Sequence, residues 1–263
     1  MEAMTKSFAV FGDGLKLPFA LISVPEIECK TGNLGMLIGH GLGARNPALR
    51  NFSNDDWTKI LAESGVHYYL ANPIVLYTAR GHGDSSGWER SADHDLEQFS
   101  WPHLGSDMIA LANELKIFQF IASGSSMGAA TSLFAAMKEP TRVRALIMIR
   151  PPTAWDSRKE RTKYLASSAK KCELEFPSGK HHLVLRGASL TDLPAVDDPI
   201  YSTVICPTLI LAVEGDESHP LSTALKLKEL ITNSALFIAK DYNDAKENWP
   251  NIIRNFIHNI ISN

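Results

Sequence analysis

The chain of 263 residues is poor in the features that most quickly narrow a protein's function. Its three cysteines, Cys29, Cys172 and Cys206, are far apart and lack C-x-x-C spacing, which predicts reduced thiols rather than a disulfide framework or a metal site. A formal net charge of −3 gives no electrostatic reason to expect nucleic acid or an anionic membrane surface as a partner. No apolar run approaches the roughly 20 residues that span a bilayer.

The composition is that of an ordinary globular protein, with 44% hydrophobic and 21% charged residues, which is enough to bury a sizeable core. The first residues, Met1 to Lys6, contain no apolar core of a signal peptide, so we expect a cytoplasmic location. We expect a small molecule as the partner, and composition does not predict the oligomeric state.

Strand-like and helix-like segments alternate along most of the chain, after a hairpin that turns at Gly12-Asp13-Gly14. The predicted strands are 7–11, 17–24, 35–39, 73–78, 118–122, 143–149, 208–213 and 235–239. The predicted helices are 53–64, 107–115, 129–138, 221–230 and 247–261. This alternation is typical of βαβ crossovers and of a largely parallel sheet that is buried on both faces.

The segment from Pro151 to Tyr201 departs from this alternation. It is charged and irregular, and its basic residues from Arg158 to Lys171 lie on a predicted helix. We interpret it as a small excursion, at about 151–201, within a single domain that spans 1–263.

The segment Gly124-Ser125-Ser126-Met127-Gly128 joins a predicted strand to the helix that follows it. Small residues two positions before and two positions after a serine let the chain turn sharply from strand to helix. Such a turn lifts the Ser126 hydroxyl above the sheet and points the Met127 amide toward it, as at a nucleophile elbow. A bare G-x-S-x-G pattern is common, and the alternative is a glycine-rich corner without a chemical role.

Together with two further segments, this pattern resembles the α/β-hydrolase family. His40-Gly41-Leu42-Gly43 is similar to the family's H-G loop after the third strand, and 80–87 (RGHGDSSG) is similar to its R-G-H-G-x-S turn after the fourth. The resemblance covers nearly the whole chain and extends to small bacterial esterases and enol-lactonases. It implies an α/β-hydrolase fold with a mostly parallel sheet of about eight strands, helices on both faces and a small cap.

The resemblance also implies a chemistry, the hydrolysis of a small carboxylic ester or lactone without cofactor or metal, with Ser126 as the nucleophile. A serine hydroxyl needs a base to take its proton, and the tetrahedral oxyanion needs donors that are aimed at it beforehand. By the family's motifs, these donors are the backbone amides of Leu42 and Met127. We expect His40 and His82 to be packed, hydrogen-bonded turn residues rather than bases.

The resemblance places the acid in the loop after the predicted strand 208–213. The family's carboxylate often stands four residues before a proline, and Asp216 has this relation to Pro220. We interpret Glu214 and Glu217 as solvated neighbours, and Asp156 is a weaker alternative acid.

The base is the point at which the sequence departs from the family. The family's histidine follows the last strand, but the loop 240–246 contains none, and His258 falls within the terminal helix. One hypothesis makes His219, which lies in the loop of Asp216, the base that serves Ser126. The other is a degenerate triad in a fold that binds a ligand without turning it over. Geometry decides between them, because the base must lie within hydrogen-bonding reach of the serine.

Overall fold

The computed structural model describes residues 6–22, 34–43, 57, 60, 64, 73–90 and 95–262. The strands within these ranges are β1 (Lys6–Val10), β2 (Lys16–Ile22), β3 (Leu34–Gly39), β4 (Ile74–Tyr77), β5 (Gln119–Ser125), β6 (Val143–Ile149), β7 (Thr208–Val213) and β8 (Ser234–Ala239). The α-helices whose bounds lie within the described ranges are α1 (Trp101–Glu114), α2 (Met127–Lys138), α3 (Asp156–Glu175), α4 (His181–Ser189), α5 (Leu221–Leu230) and α6 (Tyr242–Ser262).

The eight described strands form one sheet in the order β1-β2-β4-β3-β5-β6-β7-β8. β2 is antiparallel to both of its neighbours, and every pair from β4 to β8 is parallel. The predicted N-terminal hairpin and the mostly parallel sheet are thus confirmed. Because β5 lies between β3 and β6, its carboxyl end is flanked by the carboxyl ends of two parallel strands, where α/β sheets place their sites.

The two faces of the sheet are buried against different helices. Successive side chains of a strand point to opposite faces, and along β6 Ile147 and Met148 accordingly belong to separate core clusters. The cluster of Met148 includes residues of α1, α2 and α5, whereas that of Ile147 includes Trp249 and other residues of α6. Helices therefore cover both faces, as predicted.

Two helices begin earlier than the sequence predicted, so the predicted starts at 107 and 247 were wrong. α1 begins at Trp101, because the Ser100 hydroxyl accepts a hydrogen bond from the His103 amide and caps the first turn. α6 begins at Tyr242, because the Asp241 carboxylate accepts hydrogen bonds from amides of the first turn. Local polar contacts, rather than apolar spacing, decided both ends.

The remaining predictions concern less regular parts of the chain. The predicted helix 53–64 lies largely outside the described residues, although Trp57 and Ile60 are helical. Between β6 and β7 the chain forms α3 and α4, in the segment for which the sequence predicted a cap. Among the described helices, none combines the length and the apolar character that crossing a membrane requires.

Candidate active site

The serine segment forms a tight corner between β5 and α2. β5 ends at Ser125, α2 begins at Met127, and Ser126 stands between them. A Cβ atom on Gly128 would lie 2.2 Å from the carbonyl oxygen of Gly39, far inside van der Waals contact. Glycine is therefore required where α2 crosses the end of β3, and this close approach holds the corner against the sheet.

Ser126 has a strained backbone conformation, with φ 54° and ψ −114°. A residue with a side chain in such a sparsely populated region costs about 1–3 kcal/mol, and such residues cluster at functional sites. The Ser126 amide donates to the carbonyl oxygen of Ile149 at 3.0 Å, so the end of β6 holds the strained residue in place. The strain is consistent with the predicted nucleophile elbow.

The Ser126 hydroxyl lies within hydrogen-bonding distance of an imidazole. Ser126 Oγ is 2.8 Å from His219 Nε2, and His219 Nδ1 is 2.9 Å from Asp216 Oδ2. With Nδ1–H donating to the carboxylate, Nε2 is left to accept the serine proton. The structure thus brings together the hydroxyl, the imidazole and the carboxylate that the sequence analysis singled out.

The loop between β7 and α5 holds the imidazole and the carboxylate in one tight turn. Asp216 is buried, and its Oδ1 accepts a hydrogen bond from the Ser218 amide at 3.2 Å. The amide of His219 donates to the backbone carbonyl oxygen of Asp216 at 3.1 Å. Pro220 follows, and α5 begins directly after it. Because the turn is closed by its own backbone, a spacing of three residues suffices to pair the two side chains.

Asp216 has a second partner, Arg150, which the sequence analysis did not single out. Arg150 Nε donates to Asp216 Oδ2 at 2.7 Å. The guanidinium also packs over the rings of Trp57 and Tyr242, at 4.9 Å and 5.1 Å from their centroids. The sequence signal was a charged residue directly at the carboxyl end of a buried strand, a position that faces the site in a parallel sheet.

Charges around this group favour an ionised carboxylate beside a neutral imidazole. Burial by itself would raise the pKa of Asp216, but hydrogen bonds from His219 and Arg150 outweigh it and lower that pKa below its usual range. Burial lowers the pKa of His219, Asp216 opposes this effect, and the charge of Arg150 lowers the pKa further. His219 is therefore neutral at neutral pH, which is the state that can accept a proton.

Two buried histidines hold the loop that follows β3. His40 donates Nδ1–H to the carbonyl oxygen of Gly41 at 2.8 Å, and its Nε2 accepts a hydrogen bond from the Ala79 amide at 2.9 Å. His82 Nε2 lies 3.4 Å from the Gly43 amide that donates to it. Burial, together with the nearby His40, lowers the pKa of His82 to about 3, so its ring is neutral. Both rings bind backbone groups and shape the loop that carries Leu42, in agreement with the structural role predicted for them.

A small cavity of about 30 Å³ adjoins the serine. Both predicted oxyanion residues, Leu42 and Met127, lie in its wall. Met127 is the first residue of α2, where amides lack an intrahelical acceptor and the helix dipole favours negative charge. Arg158 and Arg161 of α3 line the same cavity.

The alternative acids lie apart from this arrangement. Glu214 and Glu217 are exposed, as the sequence predicted. Asp156 is also exposed and forms an ion pair with Lys159 at 2.8 Å. Asp216 is therefore the carboxylate that binds His219.

The family assignment follows from a comparison of the sequence with known protein families. Residues 36–168 match the family described as alpha/beta hydrolase fold. The match covers half of the chain and runs from β3, through the serine corner, into α3. The protein belongs to the α/β-hydrolase family. Its sequence has no significant match among curated proteins.

Solved structures share the architecture at low sequence identity. A putative aryl esterase from Burkholderia cenocepacia has a TM-score of 0.70 at 14% identity, covering 98% of this chain and 100% of that one. An enol-lactonase from Burkholderia xenovorans LB400 has a TM-score of 0.66 at 14% identity, with the same coverage of 98% and 100%. A hydrolase from Pseudomonas aeruginosa PA01 has a TM-score of 0.68 at 16% identity and 98% coverage of both chains. At such identities the likeness concerns the fold.

Proposed function

We propose that the protein cleaves a small carboxylic ester or lactone through an acyl-enzyme intermediate on Ser126. The observation that carries the proposal is the 2.8 Å distance between Ser126 Oγ and His219 Nε2. A base within hydrogen-bonding reach is what turns a serine hydroxyl into a nucleophile near neutral pH.

In the proposed acylation, His219 Nε2 takes the hydroxyl proton as Ser126 Oγ attacks the carbonyl carbon of the ester. The backbone amides of Leu42 and Met127 donate to the oxyanion that forms, and Asp216 stabilises the imidazolium. When the tetrahedral intermediate collapses, the bond to the alcohol oxygen breaks, and His219 gives its proton to that oxygen. From an ester the alcohol leaves, whereas from a lactone the new hydroxyl stays on the acyl chain, and in both cases the acyl group remains bound to Ser126.

Deacylation repeats these steps with water as the nucleophile. His219 takes a proton from the water as its oxygen attacks the acyl carbon, and the same amides donate to the second oxyanion. Collapse breaks the bond to Ser126 Oγ, which recovers a proton from His219, and a carboxylic acid is released. The scheme needs no metal or cofactor.

The second candidate is a fold that binds a ligand without turnover. The absence of a histidine in the loop 240–246 favours this candidate. The position of His219 weakens that argument, because a loop between β7 and α5 offers Ser126 an imidazole in its place. We therefore favour the hydrolase and keep the binding protein as an outcome of the test.

Labelling with a fluorophosphonate probe separates the two, because only an activated serine reacts readily. We expect covalent labelling of the protein, with the adduct on Ser126 in the peptide mass spectrum. Ser126→Ala should abolish labelling while the circular dichroism spectrum is retained. Ser106→Ala, at a half-buried position of α1 where the hydroxyl donates to the carbonyl oxygen of Pro102, is the matched control and should label normally. A folded, unlabelled wild-type protein would overturn the hydrolase and leave the binding fold.

A further inference from the structure

Two arginines on adjacent turns of α3 line the cavity beside the serine. One of them, Arg158, is engaged by the protein itself. Its guanidinium donates to the backbone carbonyl oxygens of Thr191 and Ala188, and it packs over the ring of Trp101 at 4.5 Å from the centroid. Arg158 therefore anchors α3 to the segment after α4 and to α1, and its donors are largely used.

Arg161 is engaged differently. It is half-buried and packs over the ring of Tyr164, at 4.9 Å from the centroid. Within the part of the chain that the structure describes, no carboxylate forms an ion pair with it. Its charge acts on the reacting centre, because it contributes to lowering the pKa of His219.

The acids close to the cavity do not balance this charge. Asp216 is already bound by Arg150 and His219. Asp192 accepts hydrogen bonds from the amides of Trp155 and Leu193. The described wall of the cavity thus includes an arginine that forms no ion pair there, and the same cavity is lined by the nucleophile Ser126. A carboxylate matches the fork of an arginine through charge-assisted hydrogen bonds, and it is small enough to accompany a scissile carbonyl in a short substrate.

We propose that the substrate carries a carboxylate in addition to its scissile ester or lactone, and that Arg161 binds this carboxylate. The inference rests on the proposed function, since it specifies the substrate of the same site. Arg161 and Ser126 line one small cavity, so a short spacer must join the carboxylate to the scissile carbonyl. Short half-esters of dicarboxylic acids and lactones with a carboxylate side chain have this form.

The test compares two esters of nearly equal shape, the mono-nitrophenyl ester of glutaric acid and a nitrophenyl ester whose chain ends in an isopropyl group instead of the carboxylate. We expect kcat/KM, corrected for spontaneous hydrolysis, to favour the charged ester by about 10- to 100-fold, the usual effect of a hydrogen bond to a charged group. Arg161→Gln should remove most of this preference, and Arg161→Lys should keep part of it. Lys170→Gln removes one positive charge from an exposed position of the same helix and should leave the preference intact.

A binding measurement extends the test to conditions without turnover. Calorimetry should detect binding of glutarate to the Ser126→Ala protein, and adding Arg161→Gln should weaken that binding at least about tenfold. If both esters are cleaved at Ser126 without a preference that depends on Arg161, the inference is wrong while the proposed function stands. If neither ester is cleaved and the fluorophosphonate fails to label, the proposed function is wrong. In that case, binding of glutarate that depends on Arg161 still supports the carboxylate site, and its absence overturns it.

Discussion

Arg150 Nε and His219 Nδ1 donate to the same atom, Oδ2 of Asp216, at 2.7 Å and 2.9 Å. One carboxylate oxygen therefore joins the end of β6 to the loop after β7. Arg150 is itself held by the rings of Trp57 and Tyr242. Because the carboxylate orients the imidazole, a residue that fixes the carboxylate acts on Ser126 through three successive hydrogen bonds. In the proposed mechanism, Arg150 is thus a positioning residue.

Replacing Arg150 by Gln should lower kcat/KM for an ester about 10- to 100-fold, because a charge-assisted hydrogen bond to Asp216 is lost. It should also move the acidic limb of the pH–rate profile to higher pH, since the charge of Arg150 lowers the pKa of His219. The matched control is Arg142→Gln, which should leave the pH–rate profile unchanged. Arg142 lies at the opposite end of β6, and its guanidinium donates to backbone carbonyl oxygens. A slower enzyme with an unmoved profile would indicate a purely structural role for Arg150.

His219 and His40 should respond in opposite ways to substitution by Ala. His219→Ala removes the proposed base and should reduce kcat by about 1,000-fold or more. His40→Ala should reduce the free energy of unfolding by about 1–3 kcal/mol, because the buried Ala79 amide loses its acceptor. Steady-state kinetics and urea denaturation of both variants check this. If His219→Ala retains full activity, the base must be reassigned.

The wild-type protein should lose activity as the pH falls, because a single group, the imidazole of His219, becomes protonated. Burial lowers the pKa of His219, so its neutral form persists below the ordinary imidazole value of about 6.5. The midpoint of kcat/KM should therefore lie below about pH 6.5, with a plateau at neutral pH. His82 does not produce this limb, because its pKa is lowered to about 3. Rates from about pH 4 to about pH 8, with the fold monitored at each pH, locate the midpoint. A midpoint above the ordinary imidazole value contradicts the prediction.

The corner at Ser126 should tolerate no side chain at Gly128. A methyl group there meets the carbonyl of Gly39, so Gly128→Ala should destabilise the fold by about 1–3 kcal/mol or more and displace the serine. Gly12→Ala is the matched control, because a Cβ atom at that position meets nothing within 4 Å. Its free energy of unfolding should change by less than about 0.5 kcal/mol. Thermal denaturation and fluorophosphonate labelling measure the two effects, and equal behaviour of the variants would refute the packing argument.

The sequence by itself determined the features that are local in the chain. The corner at Ser126 could be predicted because a strand, a serine with a glycine two positions before and after it, and a helix are consecutive. The parallel sheet followed from alternating apolar runs, and β6, β7 and α5 have the predicted bounds. The choice of Asp216 came from the family resemblance, which places a carboxylate four residues before a proline, and this relation to Pro220 lies within a single turn.

Only the tertiary structure decided how distant segments meet at the carboxyl ends of the strands. Ser126 and His219 are 93 residues apart, and Arg150 and Asp216 are 66 apart, so no local pattern reports their contacts. Arg161 belongs to a charged helix, and the sequence of such a helix by itself predicts a solvent-exposed position. Only the packing of α3 beside the serine shows that Arg161 lines the cavity. Hydrophobic periodicity and turn residues predict structure over a few neighbouring residues. The partners of a buried charge depend instead on the order of the strands in the sheet, which brings distant segments together.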